Sequence, residues 1–266
     1  YSLTLFSINQ SPQQVEKMFS YVNGLLLPGG HVKLQSSKYG TVGKQLFELA
    51  KKANDNGSVF PIWAECLGLE LIALLASGRG LAKGQYDTSM FDYVYAKNIT
   101  APIRLTSESK KSKLFGSAPP EMIKFMTTIL RGFHNHNKAI TMKTYKKYKT
   151  FSSMFSVLST NKDKKGKEFI STFEGWKYPF FLLHWHPTKS QQFVPTGGVL
   201  TNYQQSIANA RFLTEVFINQ EFEIHLSFAA RMSNHVFPDE MTKTQSLIHN
   251  FPLIRNYEVD GYFIPM

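Results

Sequence analysis

Val59-Phe60-Pro61-Ile62-Trp63-Ala64-Glu65-Cys66-Leu67-Gly68-Leu69-Glu70-Leu71-Ile72-Ala73-Leu74-Leu75 is the run around which the rest of the chain can be arranged. A short apolar segment ending at Trp63 reads as a buried strand. Leu67, Leu71, Leu74 and Leu75 then recur at helical spacing. Cys66 falls on the turn between the two, with Gly68 close behind. A sharp strand-to-helix turn exposes the side chain at its apex, and the first N–H groups of the following helix face whatever that side chain attacks. A thiol so placed has its pKa lowered by the helix N-terminus and becomes a nucleophile. A lone Cys is otherwise most simply a small core hydrophobe. It is the strand–turn–helix setting that favours the nucleophile.

Upstream, Tyr1 to Ile8 is strand-like, and Ser11 followed by Pro12 is a helix start that would run to Asn23-Gly24. Leu25-Leu26-Leu27 is a short buried strand stopped by Pro28-Gly29-Gly30. Two glycines after a strand mark backbone that needs positive φ or a close approach to a ligand. Thr41 to Asn54 is an amphipathic helix that leads into the Cys66 run. This β-α-β-α alternation predicts an α/β fold, a doubly wound and mostly parallel sheet with helices on both faces. Ligands of such sheets bind beyond the carboxyl ends of the strands. Gly29-Gly30 and Cys66 both lie at such ends, so they can share one crevice.

Downstream, Leu81 to Leu105 suggests loops and short strands, and Pro119 to Leu130 a helix. Phe155 to Ser159 and Glu168 to Phe173 suggest a hairpin, and Tyr178 to Trp185 a buried strand ending at His186-Pro187. Gln205 to Phe217 reads as a helix. Tyr257, Tyr262 and Phe263 in the tail are expected to dock back on the body.

With 266 residues, 42% hydrophobic and 14% aromatic, the chain suits one large domain with an ample core. No window reaches the roughly 18 uninterrupted apolar residues of a membrane span. The chain opens on Tyr1 with no charged-then-apolar leader, as if it starts late or after processing. A single Cys excludes an intrachain disulfide framework. Sequons at Asn9, Asn56 and Asn98 lean toward the secretory pathway, with Asn9 weakened by the Pro12 that follows. The formal charge of +11 admits a polyanionic partner. Its lysines concentrate at Lys143, Lys146, Lys147 and Lys149, and again at Lys162, Lys164, Lys165 and Lys167, the second group at a hairpin tip. No nucleic-acid-binding motif accompanies either group, so no nucleic acid is expected.

A thiolate needs a base to take its proton and return it to a leaving amine, and His suits both steps. Of eight His, His186 follows an apolar strand directly and is fixed by Pro187, although a strand-end His is as often structural. His184 points to the same side two residues deeper, where a core role is the better reading.

Three motifs taken together are similar to one family. They are Asn23-Gly24-Leu25-Leu26-Leu27-Pro28-Gly29-Gly30, Phe60-Pro61-Ile62-Trp63 with Cys66-Leu67-Gly68-Leu69-Glu70, and Tyr178-Pro179 leading to Trp185-His186-Pro187. They resemble gamma-glutamyl hydrolase, of the class I glutamine-amidotransferase-like superfamily. Asn98-Ile99-Thr100, Phe133-His134, Ser159-Thr160-Asn161 and Glu168-Phe169-Ile170-Ser171-Thr172 match more weakly, in the same order. The resemblance implies a lysosomal or secreted glycoprotein, with glycans at Asn98 and Asn56. It would be a cysteine peptidase that removes gamma-linked glutamates from folate poly-gamma-glutamates without a cofactor or metal. Cys66 would be the nucleophile and His186 the general base and acid. Backbone N–H groups of Leu67 and Gly30 would form the oxyanion hole. Gly29, Glu70 and His134 would line the substrate site, although Glu70 reads equally well as a capping or surface residue. A homodimer is one assembly this leaves open.

Three departures accompany the resemblance. Thr188 stands where the family has a Glu that orients the imidazole, and a hydroxyl cannot stabilise imidazolium by charge. Ala64 and Glu65 replace a Gly and a small neutral residue before the nucleophile, and a close carboxylate would raise the thiol's pKa. The chain, read as one domain over 1–266, lacks the family's first strand and helix, which would leave a seam in the sheet. A catalytically impaired homologue acting as a binding or structural protein is therefore the alternative. An amidotransferase glutaminase fits less well, since no synthetase portion is present.

Overall fold

The computed structural model of the protein describes residues 3–78, 88–118, 120–128, 131–187, 230–254 and 261–262. The first helix, α1 (Pro12–Phe19), begins with reciprocal caps: the Gln14 N–H donates to Ser11 Oγ, and the Ser11 N–H donates to Gln14 Oε1. Both are donors that a helix start leaves orphaned. The helix stops at Phe19, short of Asn23-Gly24, where the Ser20 hydroxyl donates to the Lys17 carbonyl and competes with a further turn. Next come β1 (Leu25–Leu27), α2 (Lys38–Asp55, capped by Ser37), β2 (Ile62–Glu65) and α3 (Leu67–Ala76). These are the expected alternating elements.

After them run β3 (Asp92–Pro102), β4 (Arg104–Leu105), α4 (Pro120–Thr128), β5 (Arg131–Ala139), α5 (Met142–Lys147) and α6 (Lys149–Met154). The hairpin is β6 (Phe155–Lys162) and β7 (Glu168–Gly175), and β8 (Phe180–Leu183) precedes His186. Near the end lie α7 (Glu240–Gln245), β9 (Leu253–Ile254) and β10 (Gly261–Tyr262).

Six strands form the main sheet in the order β1-β2-β8-β7-β6-β4. The half that carries the site is parallel, with Leu25 opposite Ile62 and Ile62 opposite Phe180. Beyond β8 the pairing turns antiparallel. The reason is local: β6 and β7 are joined by a short turn containing Gly166 at φ 82, and two strands so closely linked can only run in opposite directions. Hydrogen bonding is continuous from β1 to β4, so no seam opens between these strands.

One face of the sheet buries Ile62, Ala64, Phe180 and Leu182 against Val15 of α1, Leu46 and Phe47 of α2, and Leu71 and Ile72 of α3. The other face buries Trp63, Phe181, Leu183 and Trp185 against Leu114 and Phe115, with Ile123 of α4 packed alongside. This is the two-sided burial that reads as continuous apolar runs in a parallel sheet. Among the described residues no helix is long and apolar enough to cross a membrane.

Two further expectations are corrected. Residues 3–8 make one isolated bridge, Thr4 to Leu247, in place of a strand. The region read as loops and short strands holds β3, which is 11 residues long and pairs with β5. Register shifts between Tyr93 and Ala96, and again between Ala96 and Ile99, break the two-residue alternation that would have announced a strand. The helix expected over Gln205 to Phe217, and the docking of Tyr257 and Phe263, lie outside the described residues, whereas Tyr262 pairs with Leu253.

Candidate active site

Cys66 sits between β2 and α3 with φ 48 and ψ −102. A positive φ is strained for a residue with a Cβ and persists only where the surroundings impose it. Here the Cys66 N–H donates to the Leu183 carbonyl at 2.7 Å, extending the β2–β8 ladder by one bond. The Cys66 carbonyl accepts from the Glu70 N–H at 2.9 Å and so begins α3. The chain must turn abruptly to satisfy both. Gly68 lets the new helix lie directly on β1, since a Cβ there would stand 2.4 Å from the Leu27 carbonyl oxygen.

Gly29 explains how the sulfur and the imidazole come to share a crevice. A Cβ at Gly29 would lie 3.3 Å from Cys66 Cβ, 2.7 Å from His186 Cε1 and 3.3 Å from His186 Nδ1. Cys66 and His186 therefore flank the same backbone segment, one on each side of a space that only glycine leaves open. A Cβ at Gly30 would be 3.4 Å from Leu67 Cδ2, so the residues expected to supply backbone donors are neighbours as well. His186 is held by its own main chain, whose N–H donates to the Phe133 carbonyl at 2.8 Å. Both Cys66 and His186 are buried. Tyr39 of α2 also comes near: its hydroxyl donates to the Pro28 carbonyl at 3.0 Å, and its pKa is raised by burial and by the nearby charge of Cys66.

Behind this crevice lies a cluster of buried imidazoles. His134 and His136 project from β5 with His134 Nδ1 and His136 Nε2 3.2 Å apart. The His136 ring stacks on His184 at a centroid distance of 3.7 Å and an angle of 8°. His184 Nε2 stands 3.9 Å from Glu70 Oε1. That is ion-pair range, yet burial disfavours both charges. It raises the Glu70 carboxyl to about 7 against a smaller opposing pull from Lys138, and it holds His184 well below its ordinary range. Below about pH 7 the pair is a carboxylic acid facing a neutral imidazole. Burial also lowers His136, to about 4, and His134. Among the described residues no set of three or more His, Cys, Asp or Glu side chains could hold a metal ion.

The residues singled out from the sequence are thus distributed unevenly. Cys66, His186, Gly29, Gly30 and Leu67 meet at one place. Glu70 lies one helical turn beyond Cys66, with 13% of its side chain exposed. His134 is fully buried, so it has no surface to offer a bound molecule and its link to the site runs through its neighbours. Glu65 is buried, and its Oε1 accepts from the Trp63 indole N–H at 3.0 Å. Thr188 lies outside the described residues. Asn56 caps the exposed end of α2, and Asn98 is exposed in β3 at φ 50. Sequence reading missed Tyr39, which carries no signal in an amphipathic helix. It read His184 as a core residue, in line with its full burial, but gave no role to His136, on which the His184 ring stacks.

The sheet order and the position of the crevice place the chain among doubly wound α/β proteins whose sites open beyond the carboxyl ends of parallel strands. Sequence comparison narrows this. The chain is 31% identical over 252 residues to gamma-glutamyl hydrolase of Mus musculus, covering 95% of this chain and 74% of that one. It is 30% identical over 239 residues to the Rattus norvegicus enzyme, covering 90% and 69%. For the Homo sapiens enzyme the figures are 29% over 255 residues, 96% and 74%. The chain belongs to the gamma-glutamyl hydrolase family, and so to a family of enzymes. No family-level sequence profile matches it. A solved glutamine amidotransferase from Thermotoga maritima aligns with a TM-score of 0.40 and 15% identity over 79% of this chain and 74% of its own, a likeness too low to build on.

Proposed function

We propose that the protein is a cysteine hydrolase that cleaves the gamma-glutamyl bonds of folate poly-gamma-glutamates. The names of its relatives support gamma-glutamyl substrates. The observation that carries the mechanism is the space at Gly29, flanked by the Cys66 and His186 side chains. His186 takes the thiol proton, and the sulfur attacks the gamma-carbonyl carbon. The developing oxyanion is met by the N–H groups of Leu67 and Gly30. The C–N bond breaks as His186 returns the proton to the leaving amine. Water then attacks the thioester, giving its proton to His186, and the sulfur leaves as thiolate and takes that proton back from His186, which restores the starting thiol. Lysosomal or secreted placement belongs to the same reading and is supported by the exposure of Asn56 and Asn98.

Incubation with a folyl-poly-gamma-glutamate, comparing the protein with Cys66→Ala, tests this. Product should form with Cys66 and be absent without it, and equal product from both would remove the proposal. One observation favours a second reading, a catalytically impaired homologue that binds rather than cleaves: Glu65, directly before Cys66, buries an acidic side chain against the Trp63 indole. Retained substrate binding with no Cys66-dependent product would select it.

A further inference from the structure

His184 is a poor choice for a residue that only fills space. It is fully buried, and neither ring nitrogen has a hydrogen-bond partner. A leucine would avoid burying two unsatisfied polar atoms in this setting. Its ring is clamped flat against His136, with Phe169 edge-on, so it cannot swing away to find a partner. The side chain that its Nε2 faces is Glu70, 3.9 Å away.

Location gives the arrangement meaning. Glu70 stands on the first turn of α3, whose preceding residue is Cys66, and its N–H holds the Cys66 carbonyl. His184 stands two residues before His186, beyond the end of β8. The 3.9 Å gap is therefore a place where the helix carrying the thiol and the strand carrying the imidazole face each other through polar groups. The titratable groups around it are His134 and His136 from β5, His186 from the same strand, and Lys138 of β5 toward Glu70.

We propose that His184 is a positioning residue. By rotation of the Glu70 side chain, the Glu70 carboxyl donates its proton to His184 Nε2 in a hydrogen bond that ties the first turn of α3 to the end of β8 and fixes Cys66 relative to His186. This role rests on the Cys–His hydrolase reading, but it can be measured without substrate. Iodoacetamide alkylation of Cys66 from pH 5 to 8 reports the thiolate directly.

His184→Leu should slow alkylation at pH 6 about tenfold and shift the pH midpoint, His184→Gln should restore the rate to within about threefold, and His184→Leu combined with Glu70→Leu should be no slower than the worse single variant. A folded His184→Leu protein with the wild-type alkylation profile would overturn the role, as would effects that multiply in the double variant. If His184→Leu fails to fold, His184→Phe, which keeps a flat ring against His136 but accepts no proton, takes its place in the cycle with Glu70→Leu: non-multiplying effects support the tie and multiplying effects remove it. A wild-type thiol no more reactive than a free one removes the Cys–His reading and this role with it. A reactive thiol indifferent to His184 removes the role alone.

Discussion

Glu70 makes this protein's stability depend on pH in a direction opposite to that of most carboxylates. Its carboxyl is raised from an ordinary 4.5 to about 7, chiefly because burial disfavours the charged form. The folded state therefore holds the proton more tightly than the unfolded chain. Below 4.5 both states are protonated and Glu70 contributes nothing. Between 4.5 and about 7 the unfolded chain releases the proton first, and stability falls as pH rises. Above about 7 the loss is complete. At about 1.4 kcal/mol for each tenfold change in proton affinity, it amounts to about 3 kcal/mol.

The raw profile will not show this cleanly, because His134, His136 and His184 act with the opposite sign. Each is held neutral in the fold, so the unfolded chain takes up protons below about 6.5 and stability falls as pH drops. The difference between wild type and Glu70→Gln removes the histidine contribution, since Gln mimics the neutral acid at every pH. Urea unfolding of both proteins at pH 4 and pH 8 should show the Gln variant gaining about 3 kcal/mol relative to wild type on the alkaline side. The same difference at both pH values would refute the raised carboxyl, and with it the description of Glu70 and His184 as an acid facing a neutral ring.

Gly29→Ala should leave the fold intact and damage the chemistry. The new Cβ, 2.7 Å from His186 Cε1, must displace the ring. A misplacement near 1 Å can lower the rate about 100-fold. Turnover of a folyl-poly-gamma-glutamate within about threefold of wild type would contradict that geometry. Cys66→Gly should be more stable than Cys66→Ala by about 1 kcal/mol in urea, because glycine adopts φ 48 without strain. Equal stability of the two would show that the elbow is relaxed. Secreted material should lose apparent mass on enzymatic removal of N-glycans, and Asn56→Gln and Asn98→Gln should each abolish part of that shift. A band unmoved by the treatment counts against the secretory placement.

What could be read from the sequence was what is encoded locally. The elbow follows from an apolar run, a turn residue and a helix period within seventeen consecutive positions. The crevice follows from a double glycine placed just after a short strand, and His186 from a strand end pinned by proline. The imidazole cluster had no such signature. His134 and His136 meet His184 through a β5 whose partner strand is bulged, and the contacts bridge some fifty positions of chain. Tyr39 escaped for a similar reason. Its helix announces an amphipathic face, but which of its residues comes near Cys66 depends on how α2 packs on the sheet.

Three departures from good folding practice lie close to one another. Cys66 takes a backbone conformation that its side chain resists, Glu70 buries a carboxyl that its surroundings keep protonated up to about pH 7, and His184 buries two nitrogens that nothing satisfies. Each is destabilising, and each has an obvious remedy in glycine, glutamine or leucine. By contrast, the same sheet buries Ile62, Ala64, Phe180 and Leu182 with ordinary apolar chemistry. A sequence under pressure only to fold would spread its compromises or remove them. Compromises gathered at the carboxyl ends of β2 and β8 are what a site under chemical demand would retain. This also bears on the impaired-homologue reading. If catalysis had been lost, the strained φ at residue 66 would have no remaining reason to persist, so the stability gained by Cys66→Gly measures how much the fold still gives up to keep a thiol at that apex.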